Sequence, residues 1–561
     1  MTQERQFREL LDGVLTGRVS RREMMKRATA LGLSASAIST LSLVQLGVPL
    51  ARAQDATPVA TPEADPVPGG VLRMAMQSDP SALDPQTLSL TAIWHVVEHI
   101  YETLMRIQPD LTVTPSLAES VDISEDGLVY TFNLRQGVTF HDGTPFTADD
   151  VLFTYTRLLD PATASQSTTD LLSVQGAAAF TAGDTTELTG IRVVDDHTLE
   201  ITLEAPDASF LTSISASSTS IYSRAFVEAN NNDVSQVANG TGPFMLDEYI
   251  PATSLTYSKN PNYWDAGLPY LDGLEMVIAS EDTARTGALV QGSADFIEYA
   301  PLRDVDTLAA NPELKIAGES NTNIRFLGFN LTREPFTNQQ VRQAISMVAD
   351  RGPIIEAAVF GKGTAVATIF PPDFWAALPV EPSAPDIAGA QALMEQAGFA
   401  DGFDTTITSW AEYSFLSDAA VVLQEQLRAI NINAELNLVD TGTMGQLVYV
   451  DKDFDLAVTG TSAYVDPHGL ILENFGTGNS GNFVSYSNPQ VDELILAGQT
   501  ETDTEARADI YRQIQEILLQ DLPWVNFFVA NQFEAMKQSV MGYDHIATGS
   551  NVSIRKTWIQ S

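Results

Sequence analysis

Histidine is the first place to look for chemistry in this chain, and there are six: His95, His99, His141, His197, His468 and His545. His95 and His99 stand four apart in a segment of helical periodicity, so they share a face and could grip a metal. A zinc protease needs Glu directly after the first of such a pair, and this chain has Val96, so a packed or solvent-facing pair is expected. Asp195-Asp196 could act as paired carboxylates, but adjacent acids in a hairpin turn are ordinary turn chemistry. No Gly-x-Ser-x-Gly nucleophile elbow occurs, since Gly460-Thr461-Ser462-Ala463-Tyr464 fails at its last position. No phosphate-cradling Gly-x-x-x-x-Gly-Lys-Ser/Thr occurs either. The lack of cysteine removes thiolate catalysis, disulfides, Cys-ligated zinc and iron–sulfur clusters. Trp94, Trp264, Trp375, Trp410 and Trp524 lie near predicted turns or element ends, where rings with a few polar groups line small-molecule clefts. Most of them are expected in core or interlobe packing. These residues point to binding without catalysis, and a secreted hydrolase is the rival from another class.

The elements that must hold these residues alternate between strand and helix. Val71–Met76 reads as an opening strand, Ala92 to Met105 as a helix, and Val129–Leu134 as an alternating strand. Thr147 caps a helix whose first turn carries Asp149 and Asp150. Ile191 to Val194 and Thr198 to Leu203 form a hairpin around Asp195-Asp196-His197. Val341, Ala344, Ile345 and Val348 line a helix ending near Asp350-Arg351, with Pro353 beyond. Another helix runs from Ala388 to Ala397 and stops at Gly398. Thr406 to Trp410, Ser417 to Ile430 and Ala434 to Val439 read as strand, helix and strand, the crossover of a sheet with parallel pairs. Asp455 to Thr459 is a further strand, and Ala506 to Leu519 a late helix closed by Pro523. The class is α/β in several lobes, and 561 residues leave room for three or four domains at about 150 residues each.

Thirty basic residues face 72 acidic ones, for a formal charge of −42. Such a field repels phosphate backbones and anionic lipid, so no nucleic acid and no membrane-surface partner is expected. The N-terminus reads as an address. Ser20-Arg21-Arg22-Glu23-Met24-Met25-Lys26 resembles a twin-arginine export signal. The moderately apolar Ala28 to Leu50 follows, and Ala51-Arg52-Ala53 offers cleavage before Gln54. Losing residues 1–53 would leave 22 basic and 68 acidic residues, a net −46. Residues 54–68 form a Pro-rich extended tether.

From Phe140-His141-Asp142-Gly143-Thr144-Pro145-Phe146-Thr147-Ala148-Asp149-Asp150-Val151 onward the chain resembles a known family. These are the large extracytoplasmic solute-binding proteins that serve peptide, dipeptide and nickel ABC importers. Other blocks fall in the family's order: Leu83-Asp84-Pro85, Tyr101-Glu102-Thr103-Leu104, Pro115-Ser116-Leu117-Ala118-Glu119 and Val194-Asp195-Asp196-His197-Thr198-Leu199. Further on come Asn239-Gly240-Thr241-Gly242-Pro243-Phe244, Lys259-Asn260-Pro261-Asn262-Tyr263-Trp264, Phe329-Asn330 leading to Val341-Arg342-Gln343-Ala344, and Tyr486-Ser487-Asn488-Pro489. The resemblance runs from about Gly69 to the C-terminus. It implies a periplasmic-binding-protein-like α/β fold, with two main lobes around a ligand cleft and an extra lobe inserted in the first. Lobe I is expected at 69–104, 223–321 and 527–561, lobe II at 105–222 and lobe III at 322–526, with ligand trapped by hinge closure.

The resemblance also implies the cleft. Its lining is expected from the Gly460, Thr461, Ser462, Tyr464 and Asp466 segment and from Thr91 in the Thr87–Thr91 loop, and the residues themselves add Trp410, which with Tyr464 offers an apolar wall with a polar tip. Peptide-binding members carry Gly-Trp-x-Ala/Gly-Asp at the segment, where the Asp pairs with the peptide ammonium. Here Thr461 replaces the Trp and no Asp follows Ala463, so another acid, Asp466 first, would have to substitute, or the ligand lacks a free amine there. Val465-Asp466-Pro467-His468 echoes the nickel branch, but the loop Gly476 to Gly481 holds no His, so His468 is expected at the lobe surface. The expected function is a monomeric receptor, without metal or other cofactor, that delivers an oligopeptide or similar solute to an ABC permease. A nickel chelate or other non-peptide solute is the alternative ligand. The location is periplasmic or extracellular, without a Cys-linked lipid. The exported protein is predicted to begin at Gln54, and an Arg21→Lys, Arg22→Lys double substitution to abolish export. N-terminal sequencing that finds Met1 on exported protein would overturn the cleavage site.

Overall fold

Three sheets carry the architecture in the computed structural model, which describes residues 65–88, 90–318 and 321–560. The expected export signal and cleavage site, and the expected tether up to residue 64, lie outside the described residues. Among the described residues, no helix is long and apolar enough to cross a membrane. The first sheet has seven strands, in the order Leu314–Ala317, Glu534–Lys537, Phe296–Ile297, Val71–Met76, Gly273–Ile278, Ser254–Lys259 and Phe244–Ile250. Its central Val71–Met76 strand runs parallel to both neighbours and is largely buried. Residues far apart in sequence therefore share one sheet, the mark of a lobe interrupted by an insertion.

The insertion is a four-stranded antiparallel sheet, Ala118–Ile123, Val129–Leu134, Thr198–Thr202 and Ile191–Asp195. The predicted hairpin supplies two of its strands. The helix Ala148–Leu159 buries Val151, Tyr155, Leu158 and Leu159 in the same core as the strand residues Tyr130 and Phe132. It starts where the sequence places its cap, with the Asp150 carboxylate accepting the Thr147 N–H at 3.0 Å. The third sheet has six strands, Gly363–Ala365, Trp524–Ala530, Ile324–Phe329, Leu456–Gly460, Phe403–Trp410 and Ile432–Val439. The predicted crossover is present: Phe403–Trp410 runs parallel to Ile432–Val439 through the helix Ser414–Leu427.

The sequence landmarks act as clamps between these parts. Asp142 N–H donates to Asn239 Oδ1 at 3.1 Å, and Asn239 Nδ2 returns a bond to Asp142 Oδ2 at 3.0 Å. Glu102 accepts from Tyr263, Trp264, Thr241 and Arg106, all at 2.7–3.0 Å. Asp84 pairs with Arg157 at 2.6 Å and accepts from Tyr222 at 2.9 Å, all buried. These groups have found partners within the scaffold, so the blocks identify the fold and leave the ligand open.

Two expectations about helices change. The helix expected from Ala92 to Met105 spans only Thr91–Val97. The carbonyls of His99 and Ile100 are taken by the N–H groups of Phe244 (3.1 Å) and Gly242 (2.8 Å), which cross over them. The crossing is so close that a Cβ at Gly240 would sit 2.0 Å from the Ile100 oxygen. Only glycine fits there. The helix expected to end near Asp350-Arg351 does end at Val348, but a second one follows at once: Asp350 accepts the Gly352 N–H and caps Arg351–Val359, with Pro353 in its first turn.

The shortened helix separates His95 from His99. His95 Nδ1 lies 2.7 Å from Glu298 Oε2, while the buried His99 ring meets Phe244 and Tyr257 edge-on, each at 6.2 Å. Both are packed, and their rings serve different neighbours. Burial, reinforced by nearby His95, lowers the His99 pKa from 6.5 to about 3. Between those values the unfolded chain holds a proton that the folded chain refuses, so stability falls as pH drops through this window. His99→Phe keeps an aromatic ring and removes the titration. Acid destabilisation across the window is expected to become shallower by up to about 1.4 kcal/mol per pH unit, read from denaturant melts at stepped pH. An unchanged slope would show that His99 is not held neutral.

Candidate ligand cleft

In an open sheet with parallel strands, ligands bind beyond the carboxyl ends where the strand order reverses. The third sheet has one such place. From Phe403–Trp410 the chain crosses outward to Ile432–Val439, then returns past it to lay Leu456–Gly460 on the other side. Pairing between Phe403–Trp410 and Leu456–Gly460 covers only Ile407–Leu456 and Thr408–Ala457. Beyond it the strands part, bridged by Ser409 Oγ to the Val458 carbonyl at 2.9 Å. Trp410 and Gly460 stand at the mouth of that opening. The first sheet repeats the arrangement, since the chain leaves Gly273–Ile278 through the helix Asp282–Gln291 and returns at Phe296–Ile297 on the far side of Val71–Met76.

Both edges adjoin the crossings that join the two sheets. One crossing runs from Leu314–Ala317 to Ile324–Phe329, the other from Trp524–Ala530 to Glu534–Lys537. Asn321 Nδ2 donates to Gln532 Oε1 at 3.0 Å across them. Gly318, at φ +91°, is held so close that a Cβ would lie 2.4 Å from the Gln532 carbonyl. The inserted lobe also reaches the third lobe: Ala208 N–H donates to the Gln499 carbonyl at 2.8 Å, and Leu111 packs against the cluster of Phe326, Phe483 and Trp524.

The residues singled out in the sequence divide among different roles. Trp410 is half-buried, its Nε1 donating to Thr459 Oγ1 at 3.2 Å and its ring meeting Tyr413 edge-on at 5.5 Å. Gly460 is the last residue of its strand, paired with Arg325. Thr461 extends the ladder: its N–H donates to the Ile324 carbonyl at 2.9 Å, and its hydroxyl accepts the Ile324 N–H at 3.0 Å. Ser462 is exposed. Tyr464 is tied at its N–H to Thr322 Oγ1 at 3.1 Å and at its hydroxyl to Glu473. Asp466 grips Arg507 through both oxygens, at 2.6 and 2.8 Å, and caps the following helix at His468 N–H. Thr91 is exposed at the start of its helix, on the first lobe. The structure thus brings Trp410, Gly460 and Thr461 together and commits Asp466 to a lobe-III ion pair.

The sequence reading missed the nearest charge. Arg325 lies across Gly460, where a Cβ would come within 2.6 Å of Arg325 Nη1 and 2.8 Å of its Cδ. Its guanidinium sits 5.0 Å from the Phe415 ring centroid, next to Tyr413 in the row that continues from Trp410. Burial, with no carboxylate to oppose it, lowers the Arg325 pKa to about 10, so it stays charged at neutral pH. The available signal was an Arg inside Ile324-Arg325-Phe326-Leu327-Gly328-Phe329, an otherwise apolar strand in a chain poor in basic residues. On the facing sheet edge, Glu298 accepts from Gln77 N–H at 2.8 Å and contacts His95, whose ring stacks on Tyr299 at 5.6 Å. Among the described residues no group of three or more His, Asp or Glu is placed to hold a metal ion. His468 is buried, which lowers its pKa, so it is not the surface residue expected.

Known proteins share this plan. The glutathione-binding protein GsiB of Salmonella typhi is 28% identical over 479 residues, covering 84% of this chain and 91% of the relative. Haem-binding protein A of Haemophilus influenzae is 30% identical over 480 residues, covering 80% and 84%. The periplasmic binding protein DppA of Helicobacter pylori, solved with the peptide STSA, superposes with a TM-score of 0.73 at 26% identity, over 88% of this chain and 99% of that one. The middle-region model of the bacterial extracellular solute-binding proteins, family 5, matches residues 112–483. With that match spanning the insertion and most of the third lobe, the chain belongs to the family 5 bacterial extracellular solute-binding proteins.

Proposed function

We propose that this protein is the substrate-binding receptor of an ABC importer. It closes lobes I and III over an oligopeptide or similarly sized solute and delivers it to a membrane permease, acting as a monomer without catalysis. The observation that carries the reading is the pair of strand-order reversals, one per lobe, beside the same two crossings. Two such edges joined by a short hinge are built to trap a solute. Lobe I is taken at 69–104, 223–321 and 527–561, lobe II at 105–222 and lobe III at 322–526, with the last boundary moved past Ala530, because Phe528, Val529 and Ala530 still pair within the third sheet. The relatives' named ligands, glutathione, haem and a four-residue peptide, support a small or peptide-sized cargo. Export through the twin-arginine signal would deliver the receptor to the periplasm or outer cell surface.

Within the cleft, Trp410 supplies an apolar wall, Gly460 and Ser462 offer backbone beyond the last ladder bond, and Thr91 approaches from lobe I. Thr461, Tyr464 and Asp466 hold the loop in place. With both Asp466 oxygens on Arg507, a peptide amine finds no counter-ion at that carboxylate. Native mass spectrometry of the protein as isolated, followed by small-angle scattering with and without a short-peptide library, tests the receptor reading. Bound solute and a smaller radius of gyration are expected. Turnover of a bound compound, lost with one polar substitution, would overturn it. Trp410→Ala should weaken capture about tenfold or more, the loss of about 1.5–3 kcal/mol of buried aromatic contact. The melting temperature should stay close to wild type, and calorimetric affinities equal to wild type would exclude Trp410 from the cleft wall.

A further inference from the structure

We infer that the captured solute carries a carboxylate and that Arg325 is its anchor. This deepens the receptor reading and rests on it. Arg555, outside the third sheet, also has an unpartnered Nε and donates to the Val552 carbonyl at 3.1 Å, but three other buried guanidiniums are saturated: Arg157 has Asp84, Arg507 has Asp466, and Arg342 donates to the carbonyls of Phe336, Thr337, Asp521 and Leu522. Arg325 does not share their saturation. Its Nη1 reaches only the carbonyls of Ile324 and Thr461, at 3.4 and 3.3 Å. Its Nε is buried without any partner. None of the ion pairs among the described residues involves it.

A guanidinium withdrawn from water without a counter-ion is costly, and removing more water by closing the cleft raises the cost. A ligand carboxylate answers this, because the guanidinium fork matches it and a dry site strengthens the pair. The position fits as well. Arg325 crosses Gly460 at the opening between the parted strands, with Phe415 beneath its plane. Gly460 is required there because any side chain would displace the guanidinium. In a chain with 72 acidic and 30 basic residues, a cation left unpaired at the cleft gives local attraction to an anion that the protein's overall field repels.

Three peptides separate the sources of the carboxylate in isothermal titration: Ala-Ala-Ala with a free C-terminus, Ala-Glu-Ala-amide with only a side-chain acid, and Ala-Ala-Ala-amide with none. Wild type is expected to bind one of the acids at least about tenfold more tightly than the neutral amide. Arg325→Gln should abolish that discrimination, and Arg325→Lys should retain part of it, with circular dichroism confirming that both variants fold. The acid that binds tells whether the C-terminus or a side chain is read. Equal binding of all three peptides by wild type overturns the inference whatever the variants do, as does discrimination that survives in folded Arg325→Gln. No binding of any peptide up to millimolar concentration overturns the peptide reading, and this inference with it.

Discussion

The strand Ile324–Phe329 is hydrogen-bonded on both sides, to Leu456–Gly460 and to Trp524–Ala530, and much of the molecule depends on that double pairing. Its entry point is one of the crossings between lobes, and the neighbour Trp524–Ala530 leads into the other. Any shift of register here would move hinge and cleft together, because Thr322, Arg325 and Gly460 lie within a few residues of the same ladder end. The ladder is held by its two faces. Leu327 and Phe329 belong to one core cluster and Ile324 and Phe326 to another, with Phe326 stacked on Trp524 at 3.6 Å. Burial of four large apolar side chains from one short strand contributes about 1.5–3 kcal/mol each, so slippage is strongly opposed.

Charge is distributed under a scarcity of cations. Arg73 and Lys537 share Asp295, Arg157 neutralises Asp84, and Arg507 neutralises Asp466. Each pair joins segments far apart in sequence, so these few cations hold the insertion and the terminal segments to the scaffold. The remaining acids among the described residues lie mostly outside the core, where their like charges repel one another. Against this background an unpaired Arg325 is a specific local feature rather than part of a basic patch.

Local periodicity made much of the fold legible. Val71–Met76 and Val129–Leu134 were read at their observed limits, and the crossover around Ser414–Leu427 was recognised from the order of its elements. The helix after Thr91 is overextended in the sequence reading because its terminator lies some 140 residues away, in Gly242 and Phe244, whose N–H groups take the carbonyls a continuing helix would need, with Gly240 crossing too closely for a side chain. The end of the helix before Asp350 is legible, but the helix that Asp350 and Pro353 begin is not, since the same cap-and-proline chemistry serves both. In the cleft, the family pattern drew attention to Trp410 and Gly460 but could not show that Asp466 is spent on Arg507, a partner 41 residues further on. Arg325 stayed invisible for a different reason. Its significance is the absence of a partner, and a sequence does not show which charges go unmatched.

The contacts of lobe II with lobe III have a kinetic meaning. Leu111 sits on the Phe326 cluster, which Trp410 and Tyr464 also pack against, whereas the Ala208–Gln499 bond involves no residue of the proposed cleft. In the proposed receptor, an opening that moves lobe II away from lobe III would strain these contacts. They would then add to the release barrier of any cargo, the part due to the Ala208–Gln499 bond being independent of what the cleft holds.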